Sequence, residues 1–158
     1  MDRVPEELFV TIAKGERRTI VAYVGRDGRA RAQEFLDALD HVARSRYAVR
    51  FCQLCQDGTL RGQFLHPWDS KKSKKSKNAK DLQCFKDIGS KTRIPCFPSG
   101  DPGVLVLTHG FRKKEDKLDE AEIDRADTVR CEFQTRRAEM RAKGTPSVGK
   151  RISGGRGQ

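Results

Sequence analysis

The sequence predicts an α+β fold with an N-terminal strand, a helical hairpin, three antiparallel strands and a C-terminal helix. The central observation is the unbroken apolar run from Val104 to Leu107, which is typical of a strand buried on both faces. Two stretches with apolar residues three and four positions apart, one after Arg29 and one that ends near Lys143, predict helices. A chain of 158 residues is long enough for one domain around one core.

The N-terminal part of the chain is predicted to contain the first strand and the helical hairpin. Thr19 to Val24 is rich in β-branched residues and predicts the first strand, while the apolar run from Leu8 to Ala13 is a candidate for an extra strand. The first helix has one apolar stripe, formed by Ala32, Phe35, Leu36, Leu39, Val42 and Ala43. After a break between Asp40 and Ser45, a second helix should complete a hairpin that covers one face of the sheet. Its apolar residues are Val49, Phe51, Cys52, Leu54 and Cys55.

The second half of the chain supplies the sheet. Leu82 to Lys86 and Lys91 to Phe97 are predicted to pair as a hairpin, and a turn over residues 98–103 leads into the central strand. Three successive strands with short turns form an antiparallel meander. Before them, residues 66–80 hold six lysines and no apolar periodicity, so we expect an exposed, mobile insertion loop.

The C-terminal helix follows directly after a basic turn. Asp119 is a suitable N-cap, and Glu122 lies three residues further on, as in a capping box. Glycine and proline beyond Lys143 end the helix. We therefore expect a single domain over residues 1–143, and a disordered basic tail over residues 144–158.

The charge balance predicts an acidic partner. The chain has 33 basic and 22 acidic residues, a net charge of +11, which favours RNA, DNA, an anionic membrane surface or an acidic protein. A solubilising surface is the alternative. No apolar run reaches the roughly 18 residues of a membrane span, and the first residues do not resemble a signal peptide. We expect a cytoplasmic protein with no membrane partner and with reduced cysteines.

The region around the central strand carries a compact motif. It reads L-T-H-G-F-x-K-K-x-x-K and then E-I-x-x-A, at Leu107, Thr108, His109, Gly110, Phe111, Lys113, Lys114, Lys117, Glu122, Ile123 and Ala126. This motif resembles the C-terminal signature of the phage-derived RelE/HigB-type toxins of bacterial type II toxin–antitoxin pairs. The resemblance covers about residues 19 to 135, and it excludes the lysine-rich loop and the tail.

The resemblance implies a RelE-like fold and an endoribonuclease that cleaves ribosome-bound mRNA and so arrests translation. Its partners would be the ribosome, the mRNA and a cognate helix-turn-helix antitoxin, and no metal or other cofactor is expected. Two alternatives stay open: a gyrase-inhibiting toxin, and a non-catalytic nucleic-acid-binding module of the same fold.

The candidate catalytic residues combine this resemblance with the chemistry of RNA cleavage. The family strand motif L-x-E-L-R aligns with residues 82–86, where Cys84 replaces the acidic residue and Lys86 replaces the arginine. Arg93 matches an arginine of the next strand, and Cys96 takes the place of a tyrosine. Cations can stabilise the negative charge that the phosphate gains during cleavage. The catalytic candidates are Lys86, Arg93, His109, Lys113 and Lys114.

Further basic residues are candidates for binding nucleic acid along its phosphate backbone. They are Lys71, Lys72, Lys74, Lys75, Lys91, Arg112 and Lys117. A solvated insertion is the alternative for the loop lysines, a solvated turn is the alternative for Lys113 and Lys114, and a polar strand end is the alternative for His109.

The five cysteines allow one competing hypothesis. Cys52 and Cys55 form a C-x-x-C, and Cys84 and Cys96 on neighbouring strands could complete a zinc site. The spacing of the second pair is not that of a zinc knuckle, and the first pair lies in an apolar helix stripe, where cysteine packs as a small hydrophobe. We therefore expect no metal.

Overall fold

The computed structural model describes residues 8–60, 62, 64–67, 82–114 and 120–144. These residues form a seven-stranded sheet and three helices, and confirm the predicted α+β class. In chain order the elements are β1 (Phe9–Lys14), β2 (Thr19–Tyr23), α1 (Arg31–Ala38), α2 (His41–Asp57), β3 (Leu65–Pro67), β4 (Gln83–Asp87), β5 (Thr92–Pro98), β6 (Val104–Leu107), β7 (Phe111–Arg112) and α3 (Glu120–Gly144). None of the helices in this part of the chain is long and apolar enough to span a bilayer.

The sheet is mixed, which corrects the prediction of a small antiparallel sheet. Its strand order is β1-β2-β6-β5-β4-β3, with β7 paired to β5 outside this path. The β4-β5-β6 meander is antiparallel as predicted, and β1 is the extra N-terminal strand. However, β2 pairs with β6 in parallel. Parallel strands need a long connection between them, and the helical hairpin that crosses one face of the sheet is part of that connection. Both strands are buried on their two faces, as interior parallel strands are.

Two apolar clusters, one on each face of the sheet, hold the fold together. On one face, α1 and α2 pack against the sheet, and the buried residues include Leu36, Tyr47, Phe51, Phe85, Ile94 and Leu107. On the other face, α3 packs against β2, β5 and β6, and the buried residues include Val21, Phe97, Val106, Ile123, Ala126 and Phe133. The predicted helical hairpin thus covers one face, and the C-terminal helix covers part of the other.

The second helix begins earlier than the sequence predicts. The Asp40 side chain accepts a hydrogen bond from the Ala43 amide at 2.9 Å and caps the helix, so that no break extends to Ser45. This start sets the rotation of the helix and turns Val42 and Val49 outward, with 59% and 56% of their surfaces exposed. The prediction that Val42 belongs to the apolar stripe of the first helix was therefore wrong, as was the prediction that Val49 belongs to the apolar residues of the second.

The predicted insertion loop begins later than residue 66. His66 and Pro67 belong to β3, which pairs with β4 in an antiparallel register. The strand was missed because three residues that include proline have no periodic signal. The rest of that loop, the N-cap candidate Asp119 and the tail beyond Gly144 lie outside the described residues.

Candidate nucleic-acid interface

Lys86 and Arg93 lie side by side on the face of the sheet that α3 covers only in part. They are directly opposite partners in the β4–β5 register, so their side chains leave the sheet on the same face. Both keep part of their surface exposed. The same face of these two strands also carries Cys84 and Pro95. We call the surface formed by Lys86, Arg93, Cys84 and their neighbour Lys113 the basic face.

The main chain of Lys86 is held from two directions. Its amide donates to the Phe64 carbonyl at 2.8 Å, and its carbonyl accepts from the Arg50 guanidinium at 2.9 Å. The same guanidinium lies 4.0 Å from the centre of the Phe64 ring and 3.0 Å from an oxygen of Asp87. These contacts fix the main chain from which the Lys86 side chain leaves the sheet.

Arg93 lies between two strands, because β4 pairs with it on one side and β7 on the other. Its guanidinium donates to the carbonyl of Thr92 at 2.8 Å. Within the described residues, neither Arg93 nor Lys86 forms an ion pair. Two neighbouring cations without a carboxylate partner favour an external anion.

The charges that act on the Cys84 thiol indicate that three cations lie on this face. Burial raises the pKa of its thiol to about 12, and the positive charges of Arg93, Lys86 and Lys113 act in the opposite direction. All three charges must therefore lie near the thiol for their fields to reach it. With so high a pKa, Cys84 stays protonated at neutral pH and is not a nucleophile.

The other described basic candidates surround the turn between β4 and β5. The Lys113 amide donates to the carbonyl of Lys91 at 2.7 Å, and the Arg112 guanidinium donates to the carbonyl of Ser90 at 3.1 Å. Lys91, Arg112 and Lys114 are exposed. The structure thus brings the basic cluster that follows the central strand to the edge of the sheet next to Arg93, where it forms a basic rim. Arg112 is opposite Thr92 in the register, so its side chain leaves the sheet on the face away from Arg93.

His109 is buried, and each of its two ring nitrogens contacts another side chain of the protein. It is only 3% exposed, with Nδ1 2.9 Å from the Thr108 hydroxyl and Nε2 2.8 Å from a carboxylate oxygen of Glu122. Its ring also stacks on Phe111, with the ring centres 5.8 Å apart. These contacts link the end of β6 to the first turn of α3, so the position of His109 fits a structural link between strand and helix.

His66 is a site residue that sequence reasoning missed. It lies opposite Cys84 in the β3–β4 register, which places its ring on the same face as Lys86. Its Nδ1 lies 2.8 Å from the carbonyl of Pro67. Burial and then the charges of Lys86 and Arg93 lower the pKa of His66, against the effect of that carbonyl. The only signal in the sequence was a histidine before a proline, inside a stretch dominated by lysine.

The two strand cysteines point in opposite directions. Cys84 lies on the basic face, whereas Cys96 faces the helical hairpin and is fully buried there. The position aligned with the family tyrosine therefore cannot reach the basic face, because residues three apart in a strand lie on opposite faces. Among the described residues, no group of three or more histidine, cysteine, aspartate or glutamate side chains could hold a metal ion.

The lysine-rich candidates Lys71, Lys72, Lys74 and Lys75, together with Lys117, lie outside the described residues. The site described by the structure is thus the basic face, its rim and His66. No protein-family model and no curated protein matches the sequence of this chain.

Proposed function

We propose that this protein is an endoribonuclease that cleaves ribosome-bound mRNA, the toxin of a type II toxin–antitoxin pair. The observation that carries the proposal is the cross-strand pair of Lys86 and Arg93 on a partly open sheet face. The resemblance places the basic residues of RNA-cleaving toxins at these two positions. A cognate helix-turn-helix antitoxin and the ribosome are the proposed partners.

The chemistry of cleavage matches what these side chains can supply. When the 2′-oxygen attacks the neighbouring phosphorus, the phosphate gains negative charge in the transition state. Lys86, Arg93 and Lys113 all lie near Cys84, and cations that are already in position stabilise this charge without reorganising. Arg93 can also hold two phosphate oxygens at once, which Lys86 cannot.

A non-catalytic RNA-binding module is the second candidate, and a specific observation favours it. Cys84 and Lys86 of β4 and their partners Pro95 and Arg93 of β5 include no carboxylate and no hydroxyl group. Such a surface binds phosphate whether or not it cleaves RNA.

The experiment is to map mRNA integrity on translating ribosomes with purified protein. Arg93→Ala should abolish discrete cuts, because one cation aimed at the phosphate contributes about 100-fold or more to the rate. Arg44→Ala is the matched control, since Arg44 is exposed on α2, on the opposite side of the sheet. It makes the same chemical change far from the basic face.

The outcomes separate the candidates. Cuts by the wild type and by Arg44→Ala, but not by a folded Arg93→Ala, support the endoribonuclease. Binding of RNA by the wild type without any cleavage contradicts it and favours the binding module. Absence of both cleavage and RNA binding directs the next assay to supercoiling by DNA gyrase.

A further inference from the structure

We infer that His66 is the general base of the basic face and takes the proton from the attacking 2′-hydroxyl of RNA. The inference rests on the proposed endoribonuclease function and adds a catalytic residue that the toxin motif does not contain. It also predicts that the site cleaves only at ribonucleotides, because a deoxyribose has no 2′-hydroxyl to deprotonate.

The first argument is position. His66 is the central residue of β3 and lies directly opposite Cys84, one pleat from Lys86 on the same face. The charges of both Lys86 and Arg93 reach its ring. An imidazole at this place therefore stands beside the two cations that would hold the phosphate.

The second argument is the tautomer. A carbonyl oxygen can only accept, so the 2.8 Å contact between Nδ1 and the Pro67 carbonyl places the proton of the neutral ring on Nδ1. Nε2 then carries the lone pair. The contact to the next residue's own carbonyl also fixes the orientation of the ring, as a third group does for the base in catalytic triads.

The third argument is the state of Nε2. This atom is buried and has no hydrogen-bond partner among the described residues. A buried acceptor without a partner is costly, so each one in a native protein requires an explanation. A substrate hydroxyl is a donor that would satisfy Nε2.

The charges around the ring keep it ready to accept a proton. Burial lowers the pKa of His66, and so do Lys86 on β4 and Arg93 on β5. Cys84 faces the ring from β4 and is protonated at neutral pH, so it adds no charge. A lowered pKa leaves the imidazole neutral, which is the form that can act as a base.

The step balances as an internal transfer. The 2′-oxygen loses its proton to Nε2 of His66 and attacks the adjacent phosphorus, and the bond from phosphorus to the 5′-oxygen breaks. The leaving 5′-oxygen takes a proton from Lys86, Lys113 or solvent. The products are a 2′,3′-cyclic phosphate and a free 5′-hydroxyl, and no oxidant or metal takes part.

The test compares cleavage rates of His66→Gln and His41→Gln over a range of pH. His41 is exposed at the start of α2 and serves as the matched control. We expect His66→Gln to lose about 100- to 10,000-fold in kcat, the usual contribution of a general base, and to lose the acid limb of the pH profile. Affinity for an RNA with one 2′-deoxy sugar at the cleavage position should be unchanged, because the variant keeps both cations.

A second measurement examines the ring without relying on turnover. Long-range proton–nitrogen NMR of the free protein should show the neutral His66 ring protonated on Nδ1, with a pKa below the ordinary value of a histidine. A ring protonated on Nε2 would overturn the inference, since the base would have no lone pair at the atom that is to take the proton.

The two hypotheses can fail separately. If the wild type cleaves and His66→Gln cleaves equally well with the same pH profile, His66 is not the base while the endoribonuclease stands. If the wild type never cleaves RNA, both fail. If cleavage and affinity for the deoxy-substituted RNA fall together in a folded His66→Gln, the residue acts in binding and the inference is overturned.

Discussion

Among single residues, Asp87 anchors the end of β4, the strand that carries Lys86 of the basic face. Its buried carboxylate accepts from the Arg46 guanidinium at 2.8 and 2.9 Å and from Arg50 at 3.0 Å. The hydrogen bond from Arg46 is the main cause of the lowered pKa of Asp87, and Ser90 contributes further. This network fixes the end of β4 against α2, directly after Lys86.

We predict that Asp87→Asn lowers the free energy of unfolding by about 3 kcal/mol, the lower end for removing one partner of a buried ion pair, because Arg46 remains 37% exposed. The measurement is urea unfolding at neutral pH. Asp27→Asn is the control, since its ion pair with Arg31 is exposed and should contribute little. An equal effect of the two substitutions would contradict the role of Asp87.

The contribution of Asp87 to the free energy of unfolding depends on pH, because its pKa differs between the folded and unfolded protein. The pKa of Asp87 is lowered in the folded protein, so its stabilisation is present above about pH 4, the value for an unfolded aspartate, and is lost as pH falls toward the folded value. Wild-type stability should therefore fall in acid more steeply than that of Asp87→Asn.

Gly110 shows how a motif residue can serve packing. A Cβ atom placed at Gly110 would overlap the ring of Phe35 on α1. The glycine of the T-H-G-F motif thus allows the helical hairpin to approach the end of the central strand. The structure gives this position a packing reason that is independent of RNA.

At the scale of elements, α3 is attached to the sheet by polar contacts at several points along its length. Glu122 contacts His109 in the first turn, Arg136 donates to the carbonyl of Val24 at 2.7 Å, and Arg137 reaches Asp101 at 2.6 Å. Arg137 is only 8% exposed. These contacts hold α3 over β2, β5 and β6 and leave the basic face partly uncovered.

We predict that Glu122→Ala lowers the free energy of unfolding by about 1.5–3 kcal/mol, the range for a hydrogen bond to a charged group. The first turn of α3 should then exchange its amide protons faster, because the contact to His109 is lost. Hydrogen exchange measured by NMR checks this. Glu139→Ala, which removes an exposed ion pair with Arg26 from the same helix, should leave that turn protected.

For the whole molecule, the net charge of +11 matters most where Lys86 and Arg93, which form no ion pair with the described residues, lie side by side. We predict that RNA affinity falls as salt rises, and that Lys86→Ala and Arg93→Ala each reduce the slope of the log–log plot by about 0.7, the contribution of one phosphate contact on a single strand. Fluorescence anisotropy with a 2′-deoxy-substituted RNA measures the slope. Arg44→Ala should leave it unchanged. Equal slopes for all variants would mean that binding depends on total charge rather than on this face.

The sequence predicts most of the elements because their signals are local. Strand β6 is an unbroken apolar run, the turns of the meander carry glycine and proline, and α3 begins at Glu120, directly after the N-cap candidate. Lys86 and Arg93 were both predicted from the resemblance to the strand motifs of the toxin family, together with the chemistry of RNA cleavage. By contrast, β3 and β7 have three and two residues, too few for any periodicity, and they form through pairing with β4 and β5.

The sequence by itself determined the α+β class, the order of the main elements and the basic character of the region after the central strand. Only the tertiary structure decided that β2 runs parallel to β6, that Lys86 and Arg93 are direct cross-strand partners, and that His66 joins them. The physical reason is the separation in sequence between the residues that interact. Helix caps, turns and apolar runs act between residues close in the chain, whereas strand register and the field around an imidazole depend on residues brought together from distant positions.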